Sequence, residues 1–240
     1  MRPAFPGMVF LLFALALLGG MAPVAVGQER SVNPGVNAPY DNPQWQRWVD
    51  IFERDGREVY DRRHDILEAL AIEPGTTVAD IGAGTGLFTR LFARAVGPQG
   101  RVYAVDITPT FVDNVVRRAG EQDLGNVSGI INTPRDVLLP EAAVDLAFIS
   151  DTYHHFEYPI STMRSLHRAL KPGGEVVVID FKRIPGLSTP WVLSHVRAGK
   201  EAFIQEIESA GFVLEEERDF METQYYLRFR KRPDSELPSP

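Results

Sequence analysis

The sequence contains no cysteine. That excludes a disulfide framework, a thiolate zinc or iron–sulfur site, a cysteine nucleophile and a lipid-carrying cysteine. Basic charge is also scarce: 25 Lys and Arg face 32 Asp and Glu, a formal net charge of −7. Sequence-independent nucleic-acid binding lives on phosphate neutralisation by Lys and Arg, so no nucleic-acid partner is expected. Long apolar runs are missing except at the start. Otherwise 44% of the 240 residues are hydrophobic and 24% charged, the profile of one globular domain rather than of a coiled coil, collagen or a disordered chain.

The exception at the start is specific. Residues 1–27 carry a single charge, Arg2, then an apolar run over 8–18, then the small-residue end Ala25-Val26-Gly27. This is the layout of a secretory signal peptide, with cleavage after Gly27. Removing it takes Arg2 and moves the net charge from −7 to −8. The expectation is an exported, periplasmic protein with no stable membrane span once the leader is gone. Two readings compete. One is an uncleaved membrane anchor, since 8–26 just reaches the length of a bilayer span; Gly19-Gly20 and Pro23 weigh against it. The other is a start codon placed too early on a cytosolic enzyme.

Residues 28–41 are polar and rich in Asn and Pro, and read as a linker. Asn42-Pro43 gives a cap and a first-turn proline, after which Trp45, Trp48, Val49 and Phe52 recur at helical spacing. The two tryptophans read as core, with a lid over a ligand as the other reading. A second helix is expected over 59–71. From there short apolar strands alternate with amphipathic helices. The strands fall at 77–81, 101–106, 127–132, 144–150 and 175–180, and the helices at 85–96, 109–119 and 159–170, with Gly97, Gly120 and Gly173 as C-terminal caps. That alternation means an α/β fold with a doubly wound parallel sheet. A last helix over 200–210, stopped by Gly211, leads to strands over 212–219 and 224–231. Their short link implies an antiparallel hairpin. The domain thus spans 42–231, and 232–240 reads as a disordered tail.

The most informative stretch is Asp80-Ile81-Gly82-Ala83-Gly84-Thr85-Gly86, at the turn from the first strand into its helix. Glycines there let the backbone turn sharply and approach a ligand. The nicotinamide fingerprint would want glycine at 87, which is Leu87, and no Lys-Ser/Thr pair marks a phosphate loop. Asp80 would repel a phosphate and attract an ammonium group. Twenty residues past Gly86, Asp106 ends the second strand, where a carboxylate can accept hydrogen bonds from both ribose hydroxyls. The implied ligand is a nucleoside with an amino-acid appendage and no phosphates.

At this point the sequence resembles the class I S-adenosylmethionine-dependent methyltransferases, over about 59–231. Asp80 through Gly86 match the first motif and Asp106 the ribose-binding acid. Residues 144–150 match the fourth strand, and Arg168-Ala169-Leu170-Lys171-Pro172-Gly173-Gly174 the turn before the fifth. The resemblance implies a seven-stranded, mostly parallel sheet with an antiparallel C-terminal hairpin strand, and S-adenosyl-L-methionine as cofactor. It implies that Asp80 and the backbone of Gly82, Ala83 and Gly84 hold the methionine moiety. Asp106 would hold the ribose, Ile107 would pack on adenine, and Ser150 would line the methionine end. In one departure, the family's acid after the third strand is replaced by Asn132-Thr133-Pro134-Arg135-Asp136, and Asp136 is taken as the substitute.

Methyl transfer needs a nucleophile aligned behind the methyl carbon and water kept out, with a base only where the acceptor is protonated. Tyr153-His154-His155 follows the fourth strand, where such sheets place ligands. His154 or His155 could take a proton and Tyr153 could orient an acceptor. The alternative is that one histidine caps the next helix and the other packs on the core. Asp151 and Asp180 both end strands as in metal-dependent catechol-type enzymes, but Phe181 stands where those have asparagine, so no metal is expected. Trp191, with Phe181 and His195, suggests an apolar or aromatic acceptor. Arg57, Arg62 and Arg63 read as surface residues, or as partners of a ligand carboxylate. The expected function is methyl transfer to a small-molecule acceptor; the alternative is a non-catalytic cofactor-binding module for sensing or assembly.

Overall fold

The computed structural model describes Met1 and residues 30–236. The expected leader, Met1 aside, and positions 237–240 of the expected tail lie outside the described residues. Seven strands form one sheet: β1 Thr77–Ile81, β2 Arg101–Asp106, β3 Val127–Ile131, β4 Val144–Ser150, β5 Leu170–Phe181, β6 Phe212–Arg218 and β7 Gln224–Lys231. Their order is β3-β2-β1-β4-β5-β7-β6. The first five run parallel, and β7 runs antiparallel to both β5 and β6. The expected mixed sheet is therefore present, its C-terminal hairpin added at one edge.

The helices are α1 Trp45–Phe52, α2 Glu58–Asp61, α3 Arg63–Leu70, α4 Leu87–Val96, α5 Pro109–Gly120, α6 Pro159–Ala169, α7 Pro190–His195 and α8 Lys200–Ser209. Alternation along the central strands sorts the core into two layers. Val78, Phe148 and Val177 face Val59, Ile66, Phe88 and Phe92 of α2, α3 and α4. Their neighbours Ala79, Ile149 and Val178 face Met163, Val192, Phe203 and Ile207 of α6, α7 and α8. Burial on both faces explains why these strands read as near-continuous apolar runs.

The differences from expectation are local. The helix expected over 59–71 breaks at Arg62, whose backbone (φ −88°, ψ 9°) lies off the helical values. The helix after the glycine turn starts at Leu87 because Gly86, its N-cap, is left-handed (φ 73°). The tail expected to be disordered is placed as far as Glu236: Arg232 N donates to Gly211 O, and a 3-10 turn covers Asp234–Glu236. The segment read as a linker is docked on the domain from Ser31 onward. Val32 N donates to Glu157 O (2.9 Å), Ser31 Oγ to Glu157 (2.8 Å), and Asn37 Nδ2 to His155 O (3.2 Å). The reason is aromatic: a 3-10 turn at Ala38–Tyr40 sets the Tyr40 ring against Trp48 and Phe111. Among the described residues, no helix is long and apolar enough to cross a membrane.

Candidate functional site

The carboxyl ends of β1, β2, β4 and β5 open into a cavity of about 1140 Å³. That is slightly above the range of about 300–1,000 Å³ usual for a small-molecule site. Its floor is the turn after β1. Gly82 and Gly84 are left-handed, at φ 71° and 52°. Gly82 N and Ala83 N both donate to Val105 O (2.8 and 3.0 Å), which ties the turn to β2. A Cβ on Gly82 would lie 2.3 Å from Thr152 Cγ2, so only glycine fits between the two loops. What remains is a side-chain-free cradle.

Two buried carboxylates flank it. Asp106 accepts from Gly84 N on Oδ2 and from Thr108 N on Oδ1, each at 2.9 Å. Burial nevertheless pushes its pKa up to about 6. Each oxygen keeps a second lone pair for a ligand hydroxyl. Asp80 is held by Thr89 Oγ1 and is buried, which pushes its pKa up to about 7. Ser150 lines the same cavity, and its buried Oγ has no protein partner. Ile107 lines the wall beside Asp106. A glycine cradle, a carboxylate with spare acceptor sites, a second awaiting a cation, and an orphaned hydroxyl fit an amino-acid-bearing nucleoside.

Three expected residues fall elsewhere. Asp136 is turned away: the 133–136 turn caps itself through Thr133, and the Asp136 carboxylate pairs with Arg168 of α6 at 2.9 Å. Asn132, Thr133 and Pro134 line the cavity instead. Gly86 lies off the lining and serves packing, since a Cβ there would meet the Val115 side chain of α5 at 2.8 Å. Tyr153 is fully buried behind the cavity, its hydroxyl donating to Glu206 at 3.1 Å and its ring packed on Phe203 and Phe156. It cannot touch an acceptor.

The end of β4 carries the polar chemistry. Asp151 adopts a left-handed backbone (φ 48°), rare for a non-glycine residue and a form of strain found at functional sites. Burial raises its pKa against the opposing pull of Arg57, whose Nη2 sits 2.7 Å from Asp151 Oδ2. Gln224 Nε2 adds a 3.2 Å contact from β7. Arg57 is thus a cavity residue rather than a surface one, while Arg62 pairs with Asp65 in solvent. His154 and His155 both line the cavity. Asp180 receives His154 N at 3.1 Å and faces His154 Nδ1 at 2.7 Å. Burial works against charge on His154, yet Asp180 outweighs it and raises the pKa. Burial, with His154 and His195 nearby, pushes His155 down to about 3, so it is neutral.

The remaining walls divide by character. Phe181, Trp191 and His195 form one end, with Trp191 stacked on His195 (4.6 Å) and edge-on to Phe181 (5.5 Å). Ile184 and Leu187 are exposed at its rim. Tyr40, Trp48, Phe52 and Phe111 line the roof, and of the two helix tryptophans Trp48 lines the cavity while Trp45 packs against the core. Burial pushes the Tyr40 phenol up to about 12, which keeps it protonated. Sequence reasoning missed Asn37, Tyr40, Thr152 and Gln224. Only the isolated aromatic at position 40, in an otherwise polar stretch, hinted at any of them.

A half-buried ionic clamp supports the cradle. Glu53, just past α1, receives Arg90 of α4 and Arg118 of α5, each at 2.8 Å. Arg90 Nη1 also donates to Thr85 O at 3.0 Å. Burial raises the Glu53 pKa, but Arg118 and Arg90 together bring it below the usual carboxylate range.

Residues 79–178 match a family model described as a methyltransferase domain. A ubiquinone/menaquinone biosynthesis C-methyltransferase of Hydrogenovibrio crunogenus is 34% identical over 124 residues, covering 51% of this chain and 48% of that protein. The chain thus spans about half the length of the curated relatives it matches. A crystal structure of an S-adenosylmethionine-dependent methyltransferase from Aquifex aeolicus superposes with a TM-score of 0.69 at 23% identity, covering 76% of this chain and 96% of that one. A possible exported protein from Bordetella parapertussis superposes with a TM-score of 0.59 at 19% identity, covering 85% of this chain and 81% of that one. These two likenesses show the fold.

Proposed function

We propose that this chain, which carries a methyltransferase domain, transfers a methyl group from S-adenosylmethionine to a small-molecule acceptor held in the same cavity. S-adenosylmethionine is the cofactor. Asp80 and the Gly82, Ala83 and Gly84 backbone hold its methionine part, Asp106 its ribose and Ile107 its adenine. Ser150 Oγ is the free donor at the methionine end. When bound, the cofactor supplies an electrophilic methyl on a sulfonium. The chain's own work is to align the acceptor behind that methyl and keep water out. The roof of Tyr40, Trp48 and Phe52 excludes water, and His154 and His155 face the acceptor's reacting atom.

The observation that carries this reading is the paired layout of the cavity, a glycine-and-carboxylate floor beside an aromatic end at Phe181 and Trp191. That end fits an apolar, ring-bearing acceptor. The relatives' names add support, since they denote methylation of quinone precursors. They lend none to the alternative of a non-catalytic binding module. We also place the protein outside the cytosol, on the leader pattern of 1–27.

The test is turnover. The isolated chain, given S-adenosylmethionine and a panel of phenols, quinols, amines and thiols, should form S-adenosylhomocysteine with at least one of them. Asp106→Ala should weaken cofactor binding at least about tenfold, the value of hydrogen bonds to a buried charge. Unchanged affinity would refute the ribose assignment. N-terminal sequencing of the exported chain should begin at Gln28; a sequence beginning at Met1 would favour the anchor.

A further inference from the structure

Three histidines converge in the cavity from separate elements: His154 and His155 from the turn after β4, and His195 from the end of α7. Each offers a ring nitrogen, and the three lie within 4.8 Å of one another. Nε2 of His155 and Nε2 of His195 are 3.3 Å apart. A tetrahedral ion with metal–nitrogen bonds of about 2.0–2.1 Å sets its nitrogens about 3.3 Å apart. His154 Nε2, the ring nitrogen left over by Asp180, is buried and has no protein partner. Behind it, Asp180 Oδ1 sits 2.7 Å from His154 Nδ1. That is the carboxylate–histidine arrangement that fixes the tautomer of a metal ligand and turns its other nitrogen toward the ion.

We propose that His154, His155 and His195 form a three-histidine site for a divalent first-row transition ion, zinc foremost, with Asp180 as the positioning residue for His154. Imidazole donors suit zinc and its neighbours rather than magnesium or calcium, which take oxygen. The carboxylate pair of Asp151 and Asp180 is a different donor set. Asp151 is engaged by Arg57 and Gln224, and Asp180 stands behind a histidine instead of facing the ion. Three protein ligands leave a fourth position open, as catalytic rather than structural zinc sites do. Since all three histidines line the cavity, that position faces its interior, beside Phe181 and Trp191. Resting on the methyl-transfer reading, the position would take an oxygen of the acceptor. Metal binding itself does not depend on that reading.

The experiment needs no turnover. The full chain, free of any histidine tag and stripped with a chelator, is titrated with zinc chloride by calorimetry and with cobalt(II) in the visible range. One ion per chain and the intense cobalt bands of a tetrahedral site are expected. His195 is only partly buried, so His195→Ala should keep the fold, checked by circular dichroism, and weaken binding by about 100-fold or more. Asp180→Asn should weaken it about 10–100-fold. Of the five histidines, the remaining two are His64 and His167; the double variant H64A/H167A should bind as the parent does. Absence of saturable one-to-one binding, or His195→Ala binding as tightly as the parent, overturns the site. Either result leaves the turnover assay untouched, and a failed acceptor panel leaves the titration untouched.

Discussion

Asp80 holds its proton up to about pH 7 because it is buried, with Thr89 Oγ1 and the more distant Arg90 opposing and Asp106 adding to the effect. An ammonium group arriving beside it favours the ionised form, so binding must expel that proton. Below the raised pKa, each bound cofactor costs one deprotonation, and affinity should fall about tenfold per pH unit for a single coupled proton. Above about pH 7 the profile should flatten. Calorimetry in two buffers of different ionisation enthalpy should show proton release near pH 6; a flat pH profile would separate Asp80 from the cofactor. Both acids were legible in the sequence, because strand-end position and spacing fix where a carboxylate sits. Asp136 was misread because a four-residue turn, capped by its own Thr133, can aim its last side chain either way. Here Arg168, a residue 32 positions later, decides the direction.

At the scale of elements, Glu53 couples the end of α1 to α4 and α5 through Arg90 and Arg118. Its pKa is lowered in the folded protein, so its contribution is present above the unfolded carboxylate value of about 4.3 and is lost as pH falls below it. Glu53→Gln leaves two arginines without their counter-charge beside the cradle. Thermal or urea unfolding near neutral pH should show a loss of about 2–3 kcal/mol, below the full cost of a broken buried pair because the residues keep some solvent contact. The loss should shrink as pH falls from the unfolded carboxylate value through the lowered folded one, and vanish only below the latter. An unchanged midpoint near neutral pH would make the clamp an ornament of the surface. Strands and most helices were readable because burial on two faces writes an unbroken apolar run, and burial on one face writes a 3.6-residue period. The clamp was not, since its three members lie in separate stretches of sequence and carry charges that read as surface.

At the scale of the whole molecule, the docked stretch 31–41 closes a cavity whose floor is built from β1 onward. Tyr40 touches Trp48, Phe111 and His155, and Asn37 holds His155 O. Deleting 30–41 should leave the sheet intact, with an unchanged far-ultraviolet dichroism spectrum. It should lower kcat/KM by at least about tenfold, since the cavity then admits water and the acceptor loses a wall. A deletion variant with full activity would show the stretch to be a tether. A polar, proline-bearing segment has no periodicity to betray that it packs, so this wall could not be read from the sequence.

Three residues of the roof, Tyr40, Trp48 and Phe52, lie outside 79–178, the part of the chain that matches the methyltransferase domain, and the mouth at Ile184, Leu187 and Trp191 lies outside it at the other end. The cradle and both buried carboxylates lie within 79–178, together with His154 and His155, while most of the roof and the aromatic mouth are encoded on either side of it. On the methyl-transfer reading, a library that grafts foreign sequences at 30–41 and 182–194, sparing Glu53, Arg57 and His195, would redirect what is methylated without rebuilding how the methyl is delivered.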